Sequence, residues 1–289
     1  MKKAKKVLAL VLAFALTVAG TMGATIAWLH DDDAETNVFT IGNVEIDLIE
    51  TPDANGDGKW DNQNAKLLPA TGSAQDDTLQ NGIAKEVSVK NTGTESAYVR
   101  VHIAIPTEMD DGNPNFDASR NFLHFNFDAD SVVYGQWSWL PTYSTGTGYK
   151  GNGAGNWNFY ETDITEVEDD PATTDVDETV KKPYNVYVVT YRSVLRSGEI
   201  TGTDVITNVY LDKSVNATAT KVKDENGEDV VASYTYFDNK GNSFTLTAEE
   251  AHNIQIKIIA EGAQTATFEN AYDALNTAFG VPGTYNPWN

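Results

Sequence analysis

Cysteine is missing from all 289 residues. That excludes disulfide staples and a cysteine nucleophile, and it leaves the hydrophobic core to hold the fold alone. Histidine is scarce: His30, His102, His124 and His252 stand singly. No H-E-x-x-H pattern sets two zinc ligands and a general base on one helix, and no G-x-S-x-G elbow presents a serine. Hydrolysis by paired carboxylates depends on geometry that sequence does not display, so it stays open. Basic residues number 20 against 42 acidic ones, for a net charge of −22. Such a chain does not bind nucleic acid or an anionic membrane through charge. The longest apolar run, residues 7–19, falls short of the roughly 20 residues that span a bilayer. The expectation is a protein that is not an enzyme.

What is present begins with that run. Lys2, Lys3, Lys5 and Lys6 precede it, and small residues fill 20–27. A charged start, a short apolar helix and small residues at the cut form a secretory signal. Thr25 and Ala27 fit the −3 and −1 positions, so cleavage is expected between Ala27 and Trp28, with a signal peptidase as a transient partner. No Lys or Arg follows until Lys59, so the run lacks a basic stop-transfer flank. Removing residues 1–27 takes away four lysines and no acids, moving the net charge to −26. This suits an exported protein that meets cations. Residues 28–289 are read as one domain.

The exported chain opens on an acidic stretch, Trp28, His30, Asp31, Asp32 and Asp33, and then alternates. Val44, Ile46 and Leu48 are separated by Glu45 and Asp47, the period of a half-buried strand. Residues 53–64 carry the D-x-[DN]-x-[DN]-G spacing of a calcium loop. Asp53, Asn55 and Asp57 supply oxygens at positions 1, 3 and 5, Gly58 allows the turn, Lys59 offers its carbonyl, and Asp61 stands at position 9. Position 12 is Asn64 where a bidentate Glu is expected, so any Ca²⁺ is held weakly and an EF-hand is not formed. A polar turn accounts for the same residues.

Further on, Val87 and Val89 alternate, Asn91 to Gly93 turn, and Val99, Val101, Ile103 and Ile105 share a face, which reads as a hairpin with His102 exposed on the opposite side. Residues 106–183 look like an insertion between core strands. Leu123, Phe125 and Phe127 mark a strand there, and Trp137, Trp139 and Trp157 flank a glycine-rich tip, either covering a sandwich edge or stacking on sugars. Residues 161–178, with nine acids, read as a solvated loop. Residues 184–198 and 199–212 read as a strand, a glycine turn and a second strand, followed by turns at Gly227 and Gly241 between short polar strands and a strand over 253–261 with Ile254, Ile256 and Ile258 facing in. One helix is expected over 268–279, capped by Thr267 and stopped by Gly280 and Pro282, burying Phe268, Tyr272, Leu275 and Phe279 over an open end of the sandwich.

Four of these stretches share a resemblance. They are Asn37, Phe39, Gly42, Val44, Ile46, Asp47 and Leu48; Leu68 and Pro69 with Asn91, Thr92, Gly93, Tyr98, Val99, Arg100 and Val101; Tyr184, Tyr187, Val189, Leu195, Gly198, Glu199, Thr201, Val209, Tyr210 and Leu211; and Ala260, Glu261 and Gln264. Together they resemble the TasA/camelysin family of secreted Gram-positive proteins, which carry the signal type handled by the SipW signal peptidase. The resemblance covers both ends and the central strands and leaves out 106–183. It implies a jelly-roll topology, so the expected fold is an all-β, jelly-roll-like antiparallel sandwich with one short C-terminal helix. It also implies a structural role at the cell surface or in biofilm matrix, among other matrix or cell-wall components. In that family subunits join head to tail by donating the N-terminal strand, here Val38, Phe39, Ile41, Val44, Ile46 and Leu48, with Val38 and Phe39 as anchors. A glycan-binding adhesin and a camelysin-like metallopeptidase are the alternatives.

Overall fold

The computed structural model describes residues 44–51, 53, 67–71, 79–110, 122–125, 136–138, 159–168, 178–252 and 254–288. Twelve strands and two helices are defined among them. They are β1 (Ile46–Thr51), β2 (Ile83–Asn91), β3 (Ala97–Pro106), β4 (Leu123–Phe125), β5 (Trp137–Ser138), β6 (Phe159–Glu168), β7 (Glu178–Tyr191), β8 (Ile206–Leu211), β9 (Asn216–Lys223), β10 (Asp229–Phe237), β11 (Ser243–Thr247), α1 (Ala248–His252), β12 (Lys257–Gln264) and α2 (Ala271–Phe279).

The alternating residues build an antiparallel β-sandwich. One sheet runs in the order β1-β2-β8-β4, and the second runs β12-β3-β7-β5 with β6 also on β7. Ile46 and Leu48, Val87 and Val89, and Val209 and Leu211 face Val99, Val101, Ile103, Ile258 and Ala260 in one core. Removing these side chains from water is the main stabilising term, about 25 cal/mol per Å² of apolar area. A third sheet, β11-β10-β9, rises between β8 and β12. Its turns place Gly227 and Gly241 at φ 79° and 91°, a left-handed conformation that glycine adopts without steric cost.

Several expectations are corrected. β2 and β3 do not pair with each other. Each joins a different sheet, and residues 92–96 turn the corner between them. Asn91 holds that corner, donating through Nδ2 to the carbonyls of Glu95 (2.8 Å) and Leu195 (2.9 Å) and accepting from the Gly93 N–H. Alternation reports a buried face but not which strand lies alongside. The acidic stretch is also partly a strand. Residues 161–168 belong to β6, where Ile164 and Glu166 point inward while Glu161 and Asp163 stay at the surface. Residues 106–183 thus contribute β4, β5 and β6 to the two sheets.

The C-terminal helix differs too. It starts at Ala271, with the Asn270 side chain accepting from the Asp273 N–H at 2.9 Å. Thr267 cannot cap it, because its own φ is 75°. α2 buries Ala271, Ala274 and Leu275 against Ala263 and Tyr98, with Phe268 and Phe279 at the margin. It covers the outer face of the β12–β3 sheet, not an open end of the sandwich. Both faces of β3 are therefore buried.

Candidate functional site

Two features of the second sheet bear on function: the place where β1 meets it, and the polar network on its outer face.

β1 and β12 end their respective sheets on the same side of the sandwich. They touch through Gly262. A Cβ on that glycine would stand 3.0 Å from Ile46 Cγ2 and 3.3 Å from Val44 Cγ1, tighter than nearly all real contacts. Glycine lets the first described strand lie flat on the last. Val44, Ile46 and Leu48, three of the residues assigned to strand donation, are buried here in the chain's own sandwich. β1 pairs antiparallel with β2, Ile46 opposite Asn91 and Leu48 opposite Val89. Val38, Phe39 and Ile41 lie outside the described residues, as do Ala27 and Trp28 at the expected cut. Of the calcium-loop residues, Asp53 is described, two positions beyond β1; Asn55, Asp57, Lys59 and Asp61 are not.

Alternation along β3 sends Tyr98, Arg100, His102 and Ala104 to the outer face, where register sets Glu261 of β12 opposite Arg100. Arg100 Nε donates to Glu261 Oε2 at 2.5 Å, and both residues are buried. The rest of the guanidinium fastens the C-terminus. Nη1 donates to Asn276 Oδ1 at 2.8 Å, and Nη2 donates to the Gly280 carbonyl at 3.0 Å and the Tyr285 hydroxyl at 2.6 Å. Phe279 and Tyr285 rings flank the cation, each centroid 5.8 Å away. Tyr285 donates to Glu261 Oε1 at 2.5 Å.

His102 extends the network. It is fully buried, which corrects the expectation of an exposed histidine. The apolar rule of alternation fails here because a second layer, α2 and the tail, covers the face. Its Nε2 lies 3.1 Å from Glu261 Oε2 and its Nδ1 lies 3.1 Å from the Tyr160 hydroxyl, which Trp288 Nε1 meets at 3.3 Å. The imidazole thus bridges the Glu261 carboxylate and the Tyr160 hydroxyl.

Burial opposes ionisation of Glu261, but His102, Arg100 and the Tyr285 hydrogen bond outweigh it and lower its pKa to about 2. Burial, and then the nearby carboxylate, pushes the Tyr285 hydroxyl up. Beside this network, Glu166 is held below its usual range. Burial again opposes, and the Tyr184 hydroxyl, Lys257 and Lys182 prevail, the two ammonium groups at 3.2 Å each.

A separate cluster on the first sheet joins His124 Nε2 to Asp212 Oδ2 at 3.0 Å, with Ser214 Oγ donating to Asp212 Oδ1 at 2.6 Å. The aspartate stands between histidine and serine, so the imidazole does not contact the hydroxyl that a nucleophilic triad would activate. Among the described residues no group of three His, Asp or Glu side chains is arranged to hold a metal ion. Trp137 is buried and donates through Nε1 to the Thr203 carbonyl at 3.0 Å. Its ring belongs to the main core, 5.1 Å from the Tyr191 ring; Trp139 and Trp157 lie outside the described residues.

The chain matches no protein-family model, no curated protein and no solved structure.

Sequence reasoning missed Arg100, Glu261, Tyr285 and Tyr160 as one unit. The signal that would have found them is the pair of charges placed inside otherwise apolar strands, Arg100 in β3 and Glu261 in β12, since buried charges must be paired.

Proposed function

We propose that this chain is an exported structural protein of the cell surface or biofilm matrix that assembles head to tail with copies of itself. The observation that carries the reading is the position of β1. β1, the first described strand, sits at the end of one sheet and against the end strand of the other. Val44, just ahead of that strand, therefore lies where both sheets terminate. An extended segment there can add to a sheet of a neighbouring copy, with backbone hydrogen bonds giving affinity and alternate side chains giving register. Each copy gives at one place and receives at another, so the contact propagates as a filament. The motifs shared with the TasA/camelysin family favour the same role. The buried networks support it as well: Arg100, His102 and Glu261 are committed to one another and to the C-terminal tail, as suits a scaffold. Weak Ca²⁺ binding in the 53–64 loop would pin the connection after β1.

The test compares the exported form, residues 28–289, with a form beginning at residue 41. The longer protein sediments as polymer and the shorter as folded monomer. Equal behaviour of the two removes strand donation from the account.

A further inference from the structure

The third sheet turns one face to the core and the other to solvent. On β11 Phe244 and Leu246 are buried, so Ser243, Thr245 and Thr247 point outward and are exposed. Register carries that outward face across the sheet. Thr245 stands beside Thr235 of β10, which stands beside Thr218 of β9, and Thr247, Ser233 and Thr220 form the next row. A row of Ser243, Phe237 and Asn216 closes one end, and the pair Val222 and Val230 closes the other. Hydroxyls thus recur in a two-dimensional array, about 4.8 Å apart between strands and about 7 Å along them. Thr235 Oγ1 lies 2.9 Å from Thr245 Oγ1, while Thr247 Oγ1 accepts the Glu250 N–H at the start of α1.

Two properties set this face apart. Charged residues make up 21% of the chain, yet no position in these rows carries one. Of the seven large hydrophobic residues exposed among the described residues, Val222, Val230 and Phe237 lie on it. Exposed apolar groups rimmed by polar side chains mark a contact surface. The size of the face decides what contacts it. Three strands and four rows span roughly 300 Å², well short of the ~800 Å² per partner of a stable protein interface, so a second copy is a poor occupant. An acidic ligand is repelled by a chain of net charge −22, and a cationic one finds no carboxylate in the rows. A neutral sugar chain matches on each count. Its hydroxyls pair with hydroxyls that both donate and accept, its C–H faces pack on an aromatic ring, and neither side has a charge to desolvate. The twist of the sheet suits a flexible chain in solution more than a flat crystal face.

We propose that the outward face of the third sheet binds a neutral polysaccharide laid across the strands, with Phe237 against the C–H face of one sugar and the hydroxyls of Thr218, Thr235 and Thr245 against the polar edge of the chain. Trp137, buried in the main core, takes no part. The site does not depend on head-to-tail assembly, since one copy carries the face whole.

Frontal affinity chromatography of the dilute exported protein, residues 28–289, tests it. The columns carry immobilised glucan, mannan, galactan and β-1,4-linked N-acetylglucosamine, with polygalacturonate as the acidic comparison. Retention is expected on at least one neutral column and less on polygalacturonate. Phe237→Ala, and separately Thr218→Val with Thr235→Val, should each lower the association constant about threefold to tenfold, while Lys221→Ser on the opposite face of β9 leaves it unchanged. Valine keeps the shape of threonine and suits a strand, and thermal melts check that each variant is folded. Retention on no neutral column overturns the proposal. So does retention that survives both sets of substitutions, which would put sugar binding elsewhere, and so does tighter binding to polygalacturonate. A protein that polymerises but is not retained refutes the sugar site alone; one that is retained but stays monomeric refutes only the assembly.

Discussion

Glu261 lies directly across the β12–β3 ladder from Arg100 and accepts its Nε hydrogen at 2.5 Å, with both side chains sealed beneath α2 and the C-terminal tail. A single strand pair thereby ties the sandwich to Asn276, Gly280 and Tyr285.

Breaking this pair from one side leaves a buried charge without its counter-ion. Glu261→Ala is expected to cost about 3–5 kcal/mol, and Arg100→Met with Glu261→Leu to recover most of it, since a well-packed apolar pair replaces an ion pair at little cost. Urea denaturation midpoints of the three proteins measure this. A loss below about 1 kcal/mol in Glu261→Ala would mean that the network is open in solution.

The same carboxylate sets an acid limit. Its pKa is about 2 in the folded protein, against about 4.3 in an unfolded chain. The unfolded state takes up the proton first, so the stabilisation is complete above about pH 4.5 and fades as pH falls toward 2. Glu166, also lowered, adds to the effect with the same sign. Melting curves across that window should fall more steeply for the unaltered protein than for Glu261→Gln. Parallel slopes would contradict the assignment.

Gly262 tests whether β1 packs on β12. A methyl there meets Ile46 Cγ2 at 3.0 Å, and overpacking of this kind costs about 1–3 kcal/mol. An Ile46→Ala background removes the two closest contacts of that methyl and leaves Val44 Cγ1 at 3.3 Å, so Gly262→Ala should cost clearly less there. A double-mutant cycle reads the coupling, and additive effects would separate the two strands.

Trp137 distinguishes a structural from a sugar-binding aromatic. Trp137→Ala should lose about 3–5 kcal/mol of stability, while Trp137→Phe should lose about 1–3 kcal/mol by stranding the Thr203 carbonyl. Retained stability together with lost glycan binding on an array would favour the adhesin alternative.

The strands were legible because their apolar residues alternate: Val44, Ile46 and Leu48 in and ahead of β1, Val99 to Ile105 in β3, and the turn glycines 227 and 241 all follow local rules. Pairing was not. Nothing local tells β2 that its neighbours are β1 and β8, because both flanking strands present the same apolar face. His102 was misplaced for a related reason, since alternation predicts solvent on one side only when nothing covers it. Here a helix whose buried stripe is Ala271, Ala274 and Leu275 does so. Acid-rich residues 161–168 concealed a strand because charge dominated a pattern whose inward members, Tyr160, Ile164 and Glu166, are few.

Head-to-tail assembly is tested most directly by analytical ultracentrifugation of the exported form over a concentration series, with electron microscopy of the same samples. The account predicts a sedimentation coefficient that climbs with concentration and unbranched filaments in the images. A single monomeric boundary at every concentration, with no filaments after seeding, would contradict it.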